Sequence, residues 1–192
     1  MSEIKFATIG TSKITKTFLS AASNVPEFKL EAVYSRNIKN AIEFGTPYNV
    51  TKFYDSLNTL AEDRTIDAVY IASPNVFHCS QAIQMMKAGK HVLCEKSLAS
   101  NKKEAEEMFR TAAENNVILL EAMRPVFDPG MDAVKASLNK LGVIRRATLN
   151  YCQYSSRYDS FLQGQDHNIF SRECSAGALM DIGTYCVHSL LC

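Results

Sequence analysis

Apolar runs punctuate the first 121 residues at short intervals, and each is followed by a stretch with helical spacing. Ile4–Ile9, Phe28–Tyr34, Lys52–Tyr54, Ala68–Ile71, His91–Cys94 and Val117–Glu121 read as strands. Between them, Ile14–Ala22, Lys39–Phe44, Ser56–Glu62, Val76–Ala88 and Lys102–Asn115 read as helices. The last of these carries its charges on one face, and Gly89 stands where a helix C-terminus favours glycine. Strands alternating with helices of this length predict βαβ units and a parallel sheet. Strands that are apolar throughout, like Ala68–Ile71, suit a sheet covered on both faces.

The pattern changes after Arg124. Phe127–Leu141 predicts a helix with a proline early in it. Val143–Ser155 contains RRATLNYCQYS, which half alternates and predicts an antiparallel strand with one open face. Arg157–Cys174 is polar, aromatic and irregular, the pattern of a loop over a site, and Ala176–Leu191 predicts an apolar helix. Residues 1–122 are therefore expected to form one α/β domain with a doubly wound parallel sheet. Residues 123–192 are expected to start a second domain and leave it incomplete: one strand makes no stable sheet, and HSLLC stops within a helix without a cap.

Composition narrows the function. The chain has 192 residues, 46% apolar and 21% charged, with a net charge of +1. That balance gives no electrostatic case for nucleic acid. No apolar stretch is long enough to span a membrane, and MSEIKFATIG lacks the basic start and apolar run of a signal peptide, so a cytoplasmic location is the expectation. The six cysteines form no CxxC pair and several fall within apolar patterns, so they read as reduced thiols, with no metal site expected.

The first strand runs into IGTSKIT, residues 9–15. Strand, glycine turn and helix is the setting for a dinucleotide pyrophosphate, with Gly10 making the turn and Thr11, Ser12, Lys13 and Ile14 following it. Ser12 and Thr15 stand where the G-x-G-x-x-G fingerprint has its later glycines, so by itself this stretch fits any tight turn as well. The second strand ends on Ser35 and Arg36, where an acid would bind a ribose 2′-hydroxyl. A hydroxyl and a guanidinium suit a 2′-phosphate instead, which favours NADP, with NAD as the alternative.

Four blocks then come in order: DAVYIASPNVFH at 67–78, AGKHVLCEKSLA at 88–99, EAMRPVF at 121–127 and GALMDIGTYCVH at 177–188. Together they resemble the Gfo/Idh/MocA family of NAD(P)-dependent oxidoreductases, in the branch that holds glucose–fructose oxidoreductase and dihydrodiol dehydrogenase. The resemblance implies a Rossmann domain followed by the first part of an α/β domain whose open, mainly antiparallel sheet carries the substrate pocket. That sheet often forms an oligomer interface in the family, so a homo-oligomer is among the expectations. It implies that Glu95-Lys96 matches the family's E-K-P motif, whose lysine reaches substrate and nicotinamide. Serine stands at 97 in place of the motif's proline. A trans peptide there would redirect Lys96, and a cis one without proline costs about 2.5–4 kcal/mol.

Asp181, Tyr185 and His188 are spaced i, i+4 and i+7, which puts all three on one face of an α-helix. The resemblance implies that Asp181 orients the site and that Tyr185 is general acid/base for the substrate hydroxyl, with Lys96 supporting its ionised form. It also places Ser73, Pro74 and Asn75 along the cofactor, followed by His78, and Arg124 on the cofactor side of the domain junction. His188 and Arg157 are candidates for substrate contact. The expected activity is hydride transfer between NADP(H) and a hydroxyl-bearing carbon of a sugar, polyol or diol. The alternative is a truncated dinucleotide-binding protein without turnover.

Overall fold

The computed structural model describes residues 3–191 and divides into two compact units, Met1–Glu121 and Ala122–Cys192. The first unit holds all six strands found among the described residues: β1 (Ile4–Ile9), β2 (Phe28–Tyr34), β3 (Lys52–Tyr54), β4 (Ala68–Ile71), β5 (His91–Cys94) and β6 (Leu119–Glu121). All five pairings are parallel, in the order β3-β2-β1-β4-β5-β6. Five helices connect them: α1 (Lys13–Ala22), α2 (Ile38–Gly45), α3 (Leu57–Glu62), α4 (His78–Lys87) and α5 (Lys102–Glu114).

Each face of the sheet has its own core, because successive strand residues point to opposite faces. Val33 packs with Leu19 of α1 and Ala41 and Phe44 of α2. Its neighbours Ala32 and Tyr34 join Ala7, Ile9, Val69 and Ile71 in a larger cluster with residues of α3, α4 and α5. Burial on both faces explains why β4 carries no polar alternation: all four of its residues are buried. α4 and α5 end in the same way. After α4, Gly89 at φ +77° donates to Met86 O and Lys90 N to Met85 O; after α5, Asn116 at φ 54° donates to Ala113 O and Val117 N to Ala112 O. These are Schellman closures, which reverse the chain and deliver it into β5 and β6.

The second unit contains α6 (Pro129–Leu138), α7 (Tyr158–Leu162) and α8 (Thr184–Leu191). It departs from expectation in four places. No strand forms over 143–155, so the antiparallel sheet does not appear among the described residues; a strand needs a neighbour's ladder for its N–H and C=O groups, and residues 122–191 supply none. The helix expected from Phe127 starts at Pro129, where the Asp128 side chain caps it by accepting from Gly130 N. The stretch expected to be a loop contains α7. The last helix is interrupted by a π turn at Leu179–Gly183 before α8 begins.

Candidate active site

In an open parallel sheet, ligands gather at the carboxyl ends of the strands where the strand order reverses, here between β1 and β4. Gly10 leaves β1 at φ +114°, and a Cβ there would come within 2.6 Å of Ala72 O, so only glycine lets this turn pass the end of β4. α1 starts just beyond. The Ser12 hydroxyl makes no capping bond and the first turn holds no acidic residue, which leaves the helix N-terminus open to an anion. A cavity of about 320 Å³ adjoins the turn, lined by Thr11, Lys16, Asn40, Glu43 and Phe44 among others. At the end of β2, Ser35 Oγ accepts from Asn37 N, and the Arg36 guanidinium lies 6.0 Å over the Phe77 ring.

The turn after β4 is tied down by side chains. Ser73 Oγ donates to Gln81 Oε1 at 2.7 Å, and the Ser73 carbonyl lies 2.9 Å from His78 Nε2. A short helical turn, Asn75–Phe77, then leads into α4, with His78 as its first residue and fully buried.

The turn after β5 carries Lys96. The Lys96–Ser97 peptide is cis. Three side chains hold this turn. Lys96 N donates to Glu95 Oε2 at 3.3 Å, Leu98 N donates to Glu121 Oε1 at 2.9 Å, and the Ser97 carbonyl lies 2.8 Å from His78 Nδ1. Glu95 is itself fixed from below: buried Tyr70 donates its hydroxyl to Glu95 Oε1 at 2.6 Å while its ring stacks on Phe18 at 3.9 Å. Burial first, and the Glu95 carboxylate second, push the Tyr70 phenol far above its ordinary range, so it stays a donor. Sequence reasoning missed Tyr70, Gln81 and Glu121. Tyr70 and Gln81 are indistinguishable from core and helix residues in the sequence. Glu121 shows the signal that singled out Glu95: an acid closing an apolar strand.

In the second unit, Arg124 and Tyr185 line one cavity of about 430 Å³ with Asp128, Asn150, Tyr151 and Ser189, and the Tyr185 and Tyr151 rings lie 5.4 Å apart. Asp181 falls in the π turn, whereas Tyr185 and His188 lie in α8. Tyr185 and His188 thus keep α-helical i, i+3 spacing. Arg157 is the residue before α7.

The sequence model of the Gfo/Idh/MocA oxidoreductases, described as having an NAD-binding Rossmann fold, matches residues 4–123. The chain belongs to this family. Over 185 residues it is 50% identical to scyllo-inositol 2-dehydrogenase (NADP(+)) IolU of Bacillus subtilis (strain 168), covering 96% of this chain and 56% of that protein. It is 29% identical to trans-1,2-dihydrobenzene-1,2-diol dehydrogenase of Xenopus tropicalis, covering 95% of this chain and 54% of the relative. The chain thus spans about half the length of the curated relatives it matches. Among solved structures, the Gfo/Idh/MocA chain resembles the 3-ketoreductase KijD10 of Actinomadura kijaniata in complex with NADP and TDP-benzene. The TM-score is 0.68 at 28% identity, over 72% of this chain and 43% of that one.

The residues at the strand ends fit a dinucleotide: a glycine turn that a Cβ would block, an uncapped helix N-terminus, and a guanidinium at the end of β2. Among the described residues, no helix is long and apolar enough to cross a membrane.

Proposed function

We propose that this chain is the NADP(H)-binding part of an oxidoreductase that acts on a CH–OH group of a sugar, polyol or diol. The observation that carries the reading is the Gly10 turn at the reversal of strand order, with Arg36 rather than an acid at the end of β2. Gly10, Thr11, Ser12, Lys13 and Ile14 would receive the pyrophosphate on backbone N–H groups. Ser35 and Arg36 would take the 2′-phosphate, to which a guanidinium binds in a fork. Ser73, Pro74, Asn75 and Arg124 would complete the cofactor's surroundings. The names of the relatives support the substrate class, since one acts on scyllo-inositol with NADP(+) and another on a dihydrodiol.

When bound, nicotinamide accepts or supplies the hydride. The chain's part is to orient the carbinol and handle its proton. Tyr185 takes that proton at its phenolic oxygen, Lys96 donates a hydrogen bond to the reacting oxygen, and Asp181 orients the group. Glu95, fixed by Tyr70, holds the Lys96 backbone. His188 and Arg157 would contact the substrate. The alternating run at 145–155 fits a strand of the family's substrate sheet, which it would join only beside other strands.

Titration with NADPH and then NADH, followed by the fluorescence of the reduced nicotinamide, tests the cofactor site; the chain has no tryptophan to interfere. NADPH should bind more tightly, and Arg36→Ala should bring the two together. Oxidation of scyllo-inositol with NADP⁺ then tests the activity, with Tyr185→Phe and Lys96→Ala expected to lose turnover while still binding NADPH. The second reading, cofactor binding without turnover, is favoured by the lack of any strand in residues 122–191. Steady turnover by this chain rejects it.

A further inference from the structure

His78 faces two carbonyl oxygens at once. Its Nδ1 lies 2.8 Å from Ser97 O and its Nε2 lies 2.9 Å from Ser73 O, and the residue is 0% exposed. A carbonyl can only accept, and a neutral imidazole has only one N–H to give. The neutral ring therefore bonds one carbonyl and turns a lone pair toward the other. Only the imidazolium can satisfy both.

We propose that His78 is a positioning residue, a clasp between the turn after β4 and the turn after β5, that closes on both turns only when its ring is protonated. The placement gives the clasp its consequence. Ser73 begins the turn that continues through Pro74 and Asn75, and Ser97 follows Lys96 directly. Glu95 and Glu121 anchor the backbone N–H groups on either side of Ser97, and His78 joins that segment to the β4 turn. The ring thus sets how far the Lys96 turn stands from the turn assigned to the cofactor.

The surroundings leave the proton exchangeable. Burial pulls the ring's pKa below its ordinary value, while the Ser97 and Ser73 carbonyls and the charges of Glu95 and Glu121 pull it back up. Cys79 on α4 and Cys94 at the end of β5 are thiols whose pKa values burial raises, so they add no charge near neutrality. The clasp is consequently one-sided at neutral pH and closes as the solution becomes more acid.

The test is a titration of the whole ¹⁵N-histidine-labelled chain from about pH 8 to about pH 5, the range in which histidine changes charge. Long-range ¹H–¹⁵N spectra report the protonation of each ring nitrogen, and the spectrum of His78→Gln assigns the signal among the four histidines. The proposal expects one protonated nitrogen at the upper end and two at the lower end. The Ser73 and Leu98 amide signals should move with the same midpoint. A ring that stays singly protonated throughout, or that titrates without moving those amides, overturns it.

A second arm rests on the cofactor reading. Saturating NADH, which has no titrating 2′-phosphate, should raise the ring's midpoint, corresponding to about fivefold tighter NADH binding to the protonated form. His78→Gln should remove that acid preference. An unchanged midpoint with NADH bound overturns the coupling. Failure of both NADH and NADPH to bind overturns the cofactor reading, and the ligand-free titration still decides the clasp.

Discussion

A few single residues carry more than their neighbours do. Gly10 is one: any Cβ would press on Ala72 O, and its φ of +114° is strained for an L-residue. Gly10→Ala should lower stability by about 1–3 kcal/mol and abolish NADPH binding; urea unfolding and nicotinamide fluorescence read the two effects separately. Asp63 is another. Burial alone would raise its carboxyl pKa, but bonds from Thr65 Oγ1, Tyr54 OH, Thr65 N and Lys52 Nζ outweigh it and hold the group far below the usual carboxylate range. Because the folded pKa is depressed, the stability it contributes is complete above the unfolded value of about 3.9 and is lost as the pH falls below it. Asp63→Asn should cost about 1–3 kcal/mol at neutral pH. The gap from the unmodified chain should narrow in urea titrations run progressively below pH 4. The same cluster pushes the Tyr54 phenol up to about 12, through burial first and the Asp63 bond next.

At the level of elements, the ends of helices decide more than their middles. α5 starts on a reciprocal cap: Glu104 N donates to Asn101 Oδ1, Asn101 Nδ2 donates to Glu104 Oε1, and Ser100 N donates to Glu104 Oε2. Asn101→Ala should cost about 1 kcal/mol of stability, measurable as a lower urea midpoint with an unchanged slope. The strands and helices of the first unit were readable because short β-rich runs alternate with stretches of helical spacing. The parallel order follows from their alternation with helices. The 143–155 run misled for a physical reason: alternation reports a face that could be buried, and a strand also needs a hydrogen-bonded neighbour. The π turn at 179–183 left no mark in the sequence, since GALMDIGTYCVH has the apolar content of an ordinary helix. Of the site, Gly10, Arg36 and Lys96 stood out by type and position. The Tyr70–Glu95 bond joins residues 25 apart and becomes visible only when β4 lies beside β5.

For the molecule as a whole, protection should follow the sheet. Amides of β1, β4 and β5, paired on both sides, should exchange slowest in deuterium exchange, and those of 143–155 should exchange within the shortest labelling times. Comparable protection in both segments would contradict this account of the second unit. The sheet also has two chemically different rims. At its amino rim, buried Lys90 donates to the carbonyls of Asp63 and Ile66, next to the Asp63 cluster. The glycine turn, His78 and Lys96 lie at the other rim. A four-residue strand such as β4 separates the rims by about 13 Å, beyond the roughly 7–10 Å within which substitutions influence one another. The two rims can therefore be engineered independently. Paired substitutions, one from each rim, should change unfolding free energy by the plain sum of their separate effects, so robustness can be tuned at the amino rim without altering which nucleotide the carboxyl rim prefers.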